Sequence, residues 1–231
     1  MPVKRSLIRP LILGALAAAL ILSLLVSNSV QFGHADVPVA ATADEIQPLA
    51  AGDKAPFFVV ETVDGELFAF DPRKLARPVV LITFRGGWCP YCNLQLSEMR
   101  DVIPQIDAMG VDVLFLSGDR AERLYASLSR ETREDIGDLK YTILSDADVQ
   151  AARALGIAFK ASDLTLAKRR AADGDEFLGS SMARHGVLPV PAVFAVDANG
   201  TITFAHADPD YRVRLAGDKV IAAARAIAPT T

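Results

Sequence analysis

The chain has 231 residues, is 51% hydrophobic and carries a formal net charge of −4 at pH 7. That composition suits one enzyme-sized globular domain, and its acidic balance gives no electrostatic footprint for nucleic acid. It contains only two cysteines, Cys89 and Cys92.

Lys4, Arg5 and Arg9 precede an apolar run from Leu11 to Val26, and Ser27 and Asn28 restore polarity. A charged segment followed by an apolar one has the form of an export signal. Residues 1–29 are expected to be a signal peptide or an N-terminal membrane anchor. The run is long for a cleaved signal and short for a comfortable span of about 20 residues, so both fates stay open. Gly33 with Ala35, or Ala41 with Ala43, offers a small-x-small cleavage pattern. The absence of a cysteine after the apolar run excludes a lipoprotein anchor. The expectation is a periplasmic protein, either soluble after cleavage or tethered to the inner membrane through residues 7–26. Residues 30–51, with Pro38, Pro48 and no sustained period, read as a linker.

The folded domain is expected over residues 52–231, with no internal repeat. Phe57 to Thr62 and Glu66 to Phe70 predict a hairpin around Asp64 and Gly65. Pro78 to Phe84 is a short apolar, β-branched run, as in a strand buried on both faces. Gly86 and Gly87 permit a sharp turn. Cys92, Leu96, Met99 and Ile103 then recur at helical spacing, predicting a helix that packs one stripe into a core. Val111 to Leu116 predicts a strand, Arg120 to about Arg133 an amphipathic helix, and Tyr141 to Leu144 a further strand. Asp146 can cap a helix ending at Gly156. After a polar insertion from Ile157 to Gly186, Ala192 to Val196 predicts a strand, and Asp197 to Gly200 turns the chain into another from Thr201 to Ala205. Val220, Ile221, Ala224 and Ile227 face the core from a last helix. Strands alternating with helices predict an α/β fold, and the final hairpin adds an antiparallel edge.

The two cysteines stand as Trp88-Cys89-Pro90-Tyr91-Cys92 between the buried strand and the helix. A structural zinc site usually takes four ligands, and His34, His185 and His206 are far apart. Covalent haem requires a histidine after the second cysteine, where this chain has Asn93. A structural disulfide gains least from so short a loop. Redox or nucleophilic chemistry remains. Cys89 is placed at a helix N-terminus with Pro90 in the first turn, where a missing N–H costs nothing. Unpaired backbone N–H groups there favour a thiolate, and Arg85 adds positive charge nearby. Trp88 and Tyr91 flank the pair and can shape a docking surface. His206, Tyr211 and Arg214 lie near the last strand and could approach the site, as lesser candidates for a chemical role. Lys160, Lys168, Arg169, Arg170 and Arg184, in the insertion, read as a solvated face. In an oxidising compartment an unattended pair closes into a disulfide, so turnover there requires a reductant.

From Gly52 to Ala228 the chain resembles the thioredoxin-like superfamily, and within it the peroxiredoxin-like proteins of the alkyl hydroperoxide reductase and thiol-specific antioxidant group. The resemblance is carried by Phe84-Arg85-Gly86-Gly87-Trp88-Cys89-Pro90-Tyr91-Cys92, by Leu144-Ser145-Asp146 and by Leu188 to Asp197. It implies a thioredoxin-like fold, a central mixed sheet flanked by helices, with peroxiredoxin-type insertions. It also implies that Pro191 follows a cis peptide bond and supports the site beside Cys89. The implied chemistry takes no cofactor and no metal. In one form Cys89 reduces a hydroperoxide, and Cys92 resolves the product to a disulfide that an external thioredoxin-like dithiol reduces. In the alternative, the pair acts as an exported thiol-disulfide oxidoreductase on protein disulfides. Both parent patterns are incomplete. Ile82 and Gly86 stand where peroxiredoxins place Pro and Thr or Ser, Pro191 stands where they tend to carry Arg, and Thr83 stands where thioredoxins bury an acid.

Overall fold

In the computed structural model, which describes residues 38–229, the predicted hairpin forms from β1 (Phe58–Glu61) and β2 (Leu67–Phe70). Phe58 and Phe70 stack across it with ring centroids 4.7 Å apart. The apolar run becomes β3 (Val79–Phe84), with all six residues buried. It lies mid-sheet, covered on both faces, which is why it reads as continuous rather than alternating.

The predicted stripe of Cys92, Leu96, Met99 and Ile103 is fully buried, but the helix carrying it is interrupted. Helix α1 (Pro90–Glu98) passes through a 3-10 turn at Met99–Asp101 into α2 (Ile103–Ala108). Pro104 explains the break: it lacks an N–H, and its ring clashes with the carbonyl four residues earlier.

β4 (Asp112–Ser117) follows. The single helix expected from Arg120 to Arg133 does not form. A 3-10 turn at Ala121–Arg123 leads through turns to α3 (Arg130–Ile136). The Ser129 side chain accepts a hydrogen bond from the Thr132 N–H and caps α3, so the helix restarts where a good N-cap residue occurs. β5 (Thr142–Ser145) then leads to α4 (Gln150–Ala154). The Asp146 carboxylate accepts from the N–H groups of Ala151 (2.9 Å) and Ala152 (2.8 Å), and so caps α4 as expected. The insertion holds β6 (Ala158–Lys160), α5 (Asp163–Asp173) and α6 (Ser181–His185). β7 (Val187–Pro189), β8 (Ala192–Val196), β9 (Ile202–Ala207) and α7 (Gly217–Ile227) complete the chain.

Seven strands form one mixed sheet in the order β2-β1-β5-β4-β3-β8-β9. β3, β4 and β5 are parallel, and β8 and β9 extend the sheet antiparallel beside β3. β6 and β7 pair separately. One core, between the sheet and α1, α2 and α7, is built on Val80, Ile82, Phe84 and Phe115. The opposite face packs Leu81, Leu114, Leu144 and Phe194 against α4 and the hairpin. Each such side chain contributes about 1.5–3 kcal/mol by leaving water.

Residues 1–29, read as a leader, lie outside the described residues. The described part of the expected linker is tied down: Ala40 bridges to β6, while Gln47 and Leu49 donate backbone hydrogen bonds to Gly156 and Leu155. Among the described residues, no helix is long and apolar enough to cross a membrane.

Candidate active site

β3 delivers the chain to the rim of the sheet, where Gly86 and Gly87 turn it into α1. Gly86 has φ +151°, and a Cβ there would press on the Trp88 indole and lie 2.6 Å from an Asp119 carboxylate oxygen. At Gly87 a Cβ would sit 2.7 Å from the Leu128 backbone nitrogen. Only glycine fits either position. The turn is held from outside. Asp119, at the end of β4, accepts from the Gly87 N–H at 2.7 Å and from the Ser127 hydroxyl at 2.8 Å. Asn93 donates to the Gly87 and Cys89 carbonyls and accepts from the Ser129 N–H, tying the turn to the start of α3. Burial pushes the Asp119 carboxyl above its usual range, against the hydrogen bonds it accepts.

Cys89 is the N-cap of α1 and Cys92 lies in its first turn. Both are free thiols, with side chains covered to 1% and 0% exposure. The two sulfurs are unequal. The Cys92 thiol donates a hydrogen bond to the Cys89 sulfur, the largest of several effects that lower Cys89 to about 6. Burial opposes this, while the Cys92 N–H, Arg85 and Arg214 assist. Cys92 moves the other way: burial, then its bond to Cys89, push it well above the usual thiol range. Near neutral pH the pair therefore carries one negative charge, on Cys89, with its proton retained on Cys92.

The other expected site residues assemble around this pair. Arg85 is nine-tenths buried and lies between two rings, its guanidinium carbon 5.2 Å from the Trp88 centroid and 4.5 Å from that of Tyr211. Burial pulls its pKa down, and the charges of Cys89 and Cys92 oppose that. Trp88 also receives the guanidinium of Arg169 at 4.3 Å. Arg169, expected on a solvated face, is thus folded over the site and paired with Asp173. Arg170 is exposed, as expected, with its guanidinium carbon 5.6 Å from the Phe177 ring centroid. Tyr91 is 40% exposed and meets Tyr211 edge-on at 5.7 Å. Arg214, from the loop between β9 and α7, places Nη2 3.4 Å from the Cys92 sulfur. His206 stays on β9 opposite Val193.

Pro191 lines a cavity of about 590 Å³ together with Arg85, Tyr211, Phe159 and Leu188. The bond before it, expected cis, is not: no cis peptide bond occurs among the described residues. The Thr83 hydroxyl donates to the Val190 carbonyl at 3.1 Å and accepts from the Ala192 N–H at 2.9 Å. That clasp holds the extended trans unit, which is also the intrinsically favoured isomer.

Sequence reading missed Asp119, Ser127 and the fastening role of Asn93. One signal for Asp119 was available: Ser117, Asp119, Ser145 and Asp146 are polar residues at the carboxyl ends of parallel strands, where sites gather in α/β sheets.

The AhpC/TSA family model matches residues 51–205. Peroxiredoxin Bcp of Escherichia coli (strain K12) is 33% identical over 112 residues, which span 48% of this chain and 67% of that protein. Thiol-disulfide oxidoreductase ResA of Bacillus thuringiensis subsp. konkukian is 20% identical over 156 residues, 68% of this chain and 69% of that one. Among solved structures, a peroxiredoxin-like protein from Aquifex aeolicus superposes with a TM-score of 0.57 at 21% identity, covering 78% of this chain and 89% of its own. Peroxidoxin BcpB from Mycobacterium tuberculosis gives 0.54 at 19% identity, covering 78% and 99%. With a profile match across most of the folded domain, and a thioredoxin-like sheet built around Cys89 and Cys92, the chain belongs to the AhpC/TSA family.

Proposed function

We propose that this protein is a thiol-dependent peroxidase in which Cys89 attacks and Cys92 resolves. The carrying observation is the unequal pair at the start of α1: a Cys89 sulfur lowered to about 6, next to a Cys92 that keeps its proton. The Cys89 thiolate attacks the distal oxygen of a hydroperoxide. The S–O bond forms, the O–O bond breaks, and the leaving alkoxide or hydroxide takes up a proton. Cys89 becomes a sulfenic acid, which Cys92 converts to a disulfide with loss of water. An external dithiol of the thioredoxin type restores both thiols. Arg85, which forms no ion pair among the described residues, supplies positive charge beside the developing oxyanion.

Thiol-disulfide exchange on proteins is the second reading, favoured by the C-x-x-C spacing and the relation to ResA. The 1% exposure of Cys89 weighs against it. A hydroperoxide of a few atoms reaches a covered sulfur with less displacement than a folded protein's disulfide. The Cys92→Ser variant decides between them. For a peroxidase it consumes about one equivalent of hydroperoxide and accumulates a sulfenic acid on Cys89. For an exchange enzyme it ignores hydroperoxide and traps a protein as a mixed disulfide.

The charged and apolar character of residues 1–29 supports export. In this reading the enzyme works in the periplasm, either free after cleavage or held at the inner membrane through residues 7–26.

A further inference from the structure

The loop between β9 and α7 brings a cation into contact with the second sulfur. Arg214 Nη2 lies 3.4 Å from Cys92, Nη1 donates to the Val213 carbonyl, and Nε is buried without a hydrogen-bond partner. Arg214 forms no ion pair among the described residues. In the reduced protein its charge acts on Asp210 and on the Cys89 thiolate, both of whose pKa values it helps to lower, and oxidation of Cys89 removes the thiolate's negative charge. Cys92 is the group that can supply that charge. The charged groups acting on it are Cys89 on the same helix, Arg85 at the end of β3, and Arg214. Thr83, on the strand beneath α1, cannot take the proton, because its hydroxyl is committed to Val190 and Ala192.

We propose that Arg214 is a catalytic residue for the resolving step: it stabilises the Cys92 thiolate that attacks the sulfur of oxidised Cys89. This rests on the reading of Cys89 as the attacking thiol. In the reduced protein the proton on Cys92 holds the Cys89 thiolate by a hydrogen bond. Once Cys89 is oxidised, that bond has lost its acceptor charge, and Arg214 becomes the counter-charge for Cys92. The Cys92 sulfur then forms the S–S bond, the S–O bond of the sulfenic acid breaks, and the hydroxide leaves as water with the proton that Cys92 gave up. Cys92 is oxidised and Cys89 is reduced by one sulfur oxidation step. A mixed disulfide on Cys89 is resolved the same way, with a thiolate as the leaving group.

The size of the effect follows from the contact. An opposite charge at this distance moves a thiol by about one to three pH units. A more basic thiolate is also a better nucleophile, with a Brønsted slope of about 0.5. Loss of Arg214 should therefore slow resolution by about 3-fold to 30-fold near neutral pH.

The test uses an aromatic disulfide, 5,5′-dithiobis(2-nitrobenzoate), on the reduced full-length protein. Attack by Cys89 releases one coloured thiolate, and resolution by Cys92 releases a second. In Arg214→Gln the second release should slow by about 3-fold to 30-fold relative to the first, and its pH midpoint should rise. Arg214→Lys should recover most of the lost rate. Equal slowing of both phases, or an unchanged second phase in Arg214→Gln, would overturn the proposal. Parallel mixing of wild type with hydrogen peroxide separates this from the peroxidase reading. Failure to react there refutes that reading alone, while the two-phase disulfide assay still judges Arg214.

Discussion

The Cys89 pKa provides the sharpest check on the site, because one hydrogen bond dominates it. The Cys92 thiol donates to the Cys89 sulfur, and Cys89 is held at about 6. Cys92→Ala removes this donor and leaves the backbone N–H, Arg85 and Arg214 in place. A hydrogen bond to a charged group is worth about 1.5–3 kcal/mol, and each pH unit is 1.36 kcal/mol. The Cys89 midpoint should therefore climb by about one to two units, to about 7–8. At pH 7 the thiolate fraction falls from about nine-tenths to between about a half and a tenth. Cys92→Ser keeps an O–H donor and should stay much closer to wild type. Ultraviolet absorbance of the thiolate, titrated across pH, reads the midpoint without requiring a reagent to reach the buried sulfur. Coincident Ala and wild-type midpoints, or a Ser variant displaced as far as Ala, would refute the argument that the Cys92 donor sets the Cys89 charge. The sign for stability follows the same shift. The folded value lies below the unfolded one, so this ionisation favours folding in full above about 8.5, and that contribution is lost as pH falls through about 6.

Two further outcomes are expected. Burial raises the Asp146 carboxyl from 3.8 to about 7. Because the folded value is the higher one, its contribution is fully present below 3.8 and is lost as pH rises through about 7, amounting to as much as about 4 kcal/mol across that window. Urea unfolding at several pH values should show Asp146→Asn losing less stability than wild type between those limits, and parallel profiles would contradict this. For export, residues 1–50 fused to a reporter that works only outside the cytoplasm should give activity. Replacing Leu16 and Leu20 with Arg should abolish it, because charges in the apolar run oppose insertion. A native fusion retained in the cytoplasm would sink the export reading.

Much of this protein is legible along the chain. The buried run at Val79–Phe84, the hairpin at Gly65, the cap at Asp146 and the placement of Cys89 at the start of α1 each depend on side-chain period, turn chemistry or cap chemistry within a few residues. The same local logic overreached twice. Helical spacing continued through Met99 to Ile103, but Pro104 removes a backbone donor and breaks the helix. An amphipathic pattern over Arg120 to Arg133 gave way because Ser127 and Ser129 bond outward, to Asp119 and Asn93, instead of sustaining a helix. What surrounds the two sulfurs was decided by sheet order. Asp119 arrives from the strand beside β3 and Arg214 from the loop before the last helix, 122 residues beyond Cys92. Arg169, which looks solvated in its own helix, closes onto Trp88 once the insertion folds back. No local period encodes such meetings, since they depend on which strands become neighbours. The sequence by itself therefore determined that Cys89 stands at a helix N-terminus with Cys92 in the first turn, because that rests on local turn and cap chemistry. Only the tertiary structure decided how far the Cys89 sulfur is buried, which cations face it, and that the Arg214 guanidinium touches Cys92.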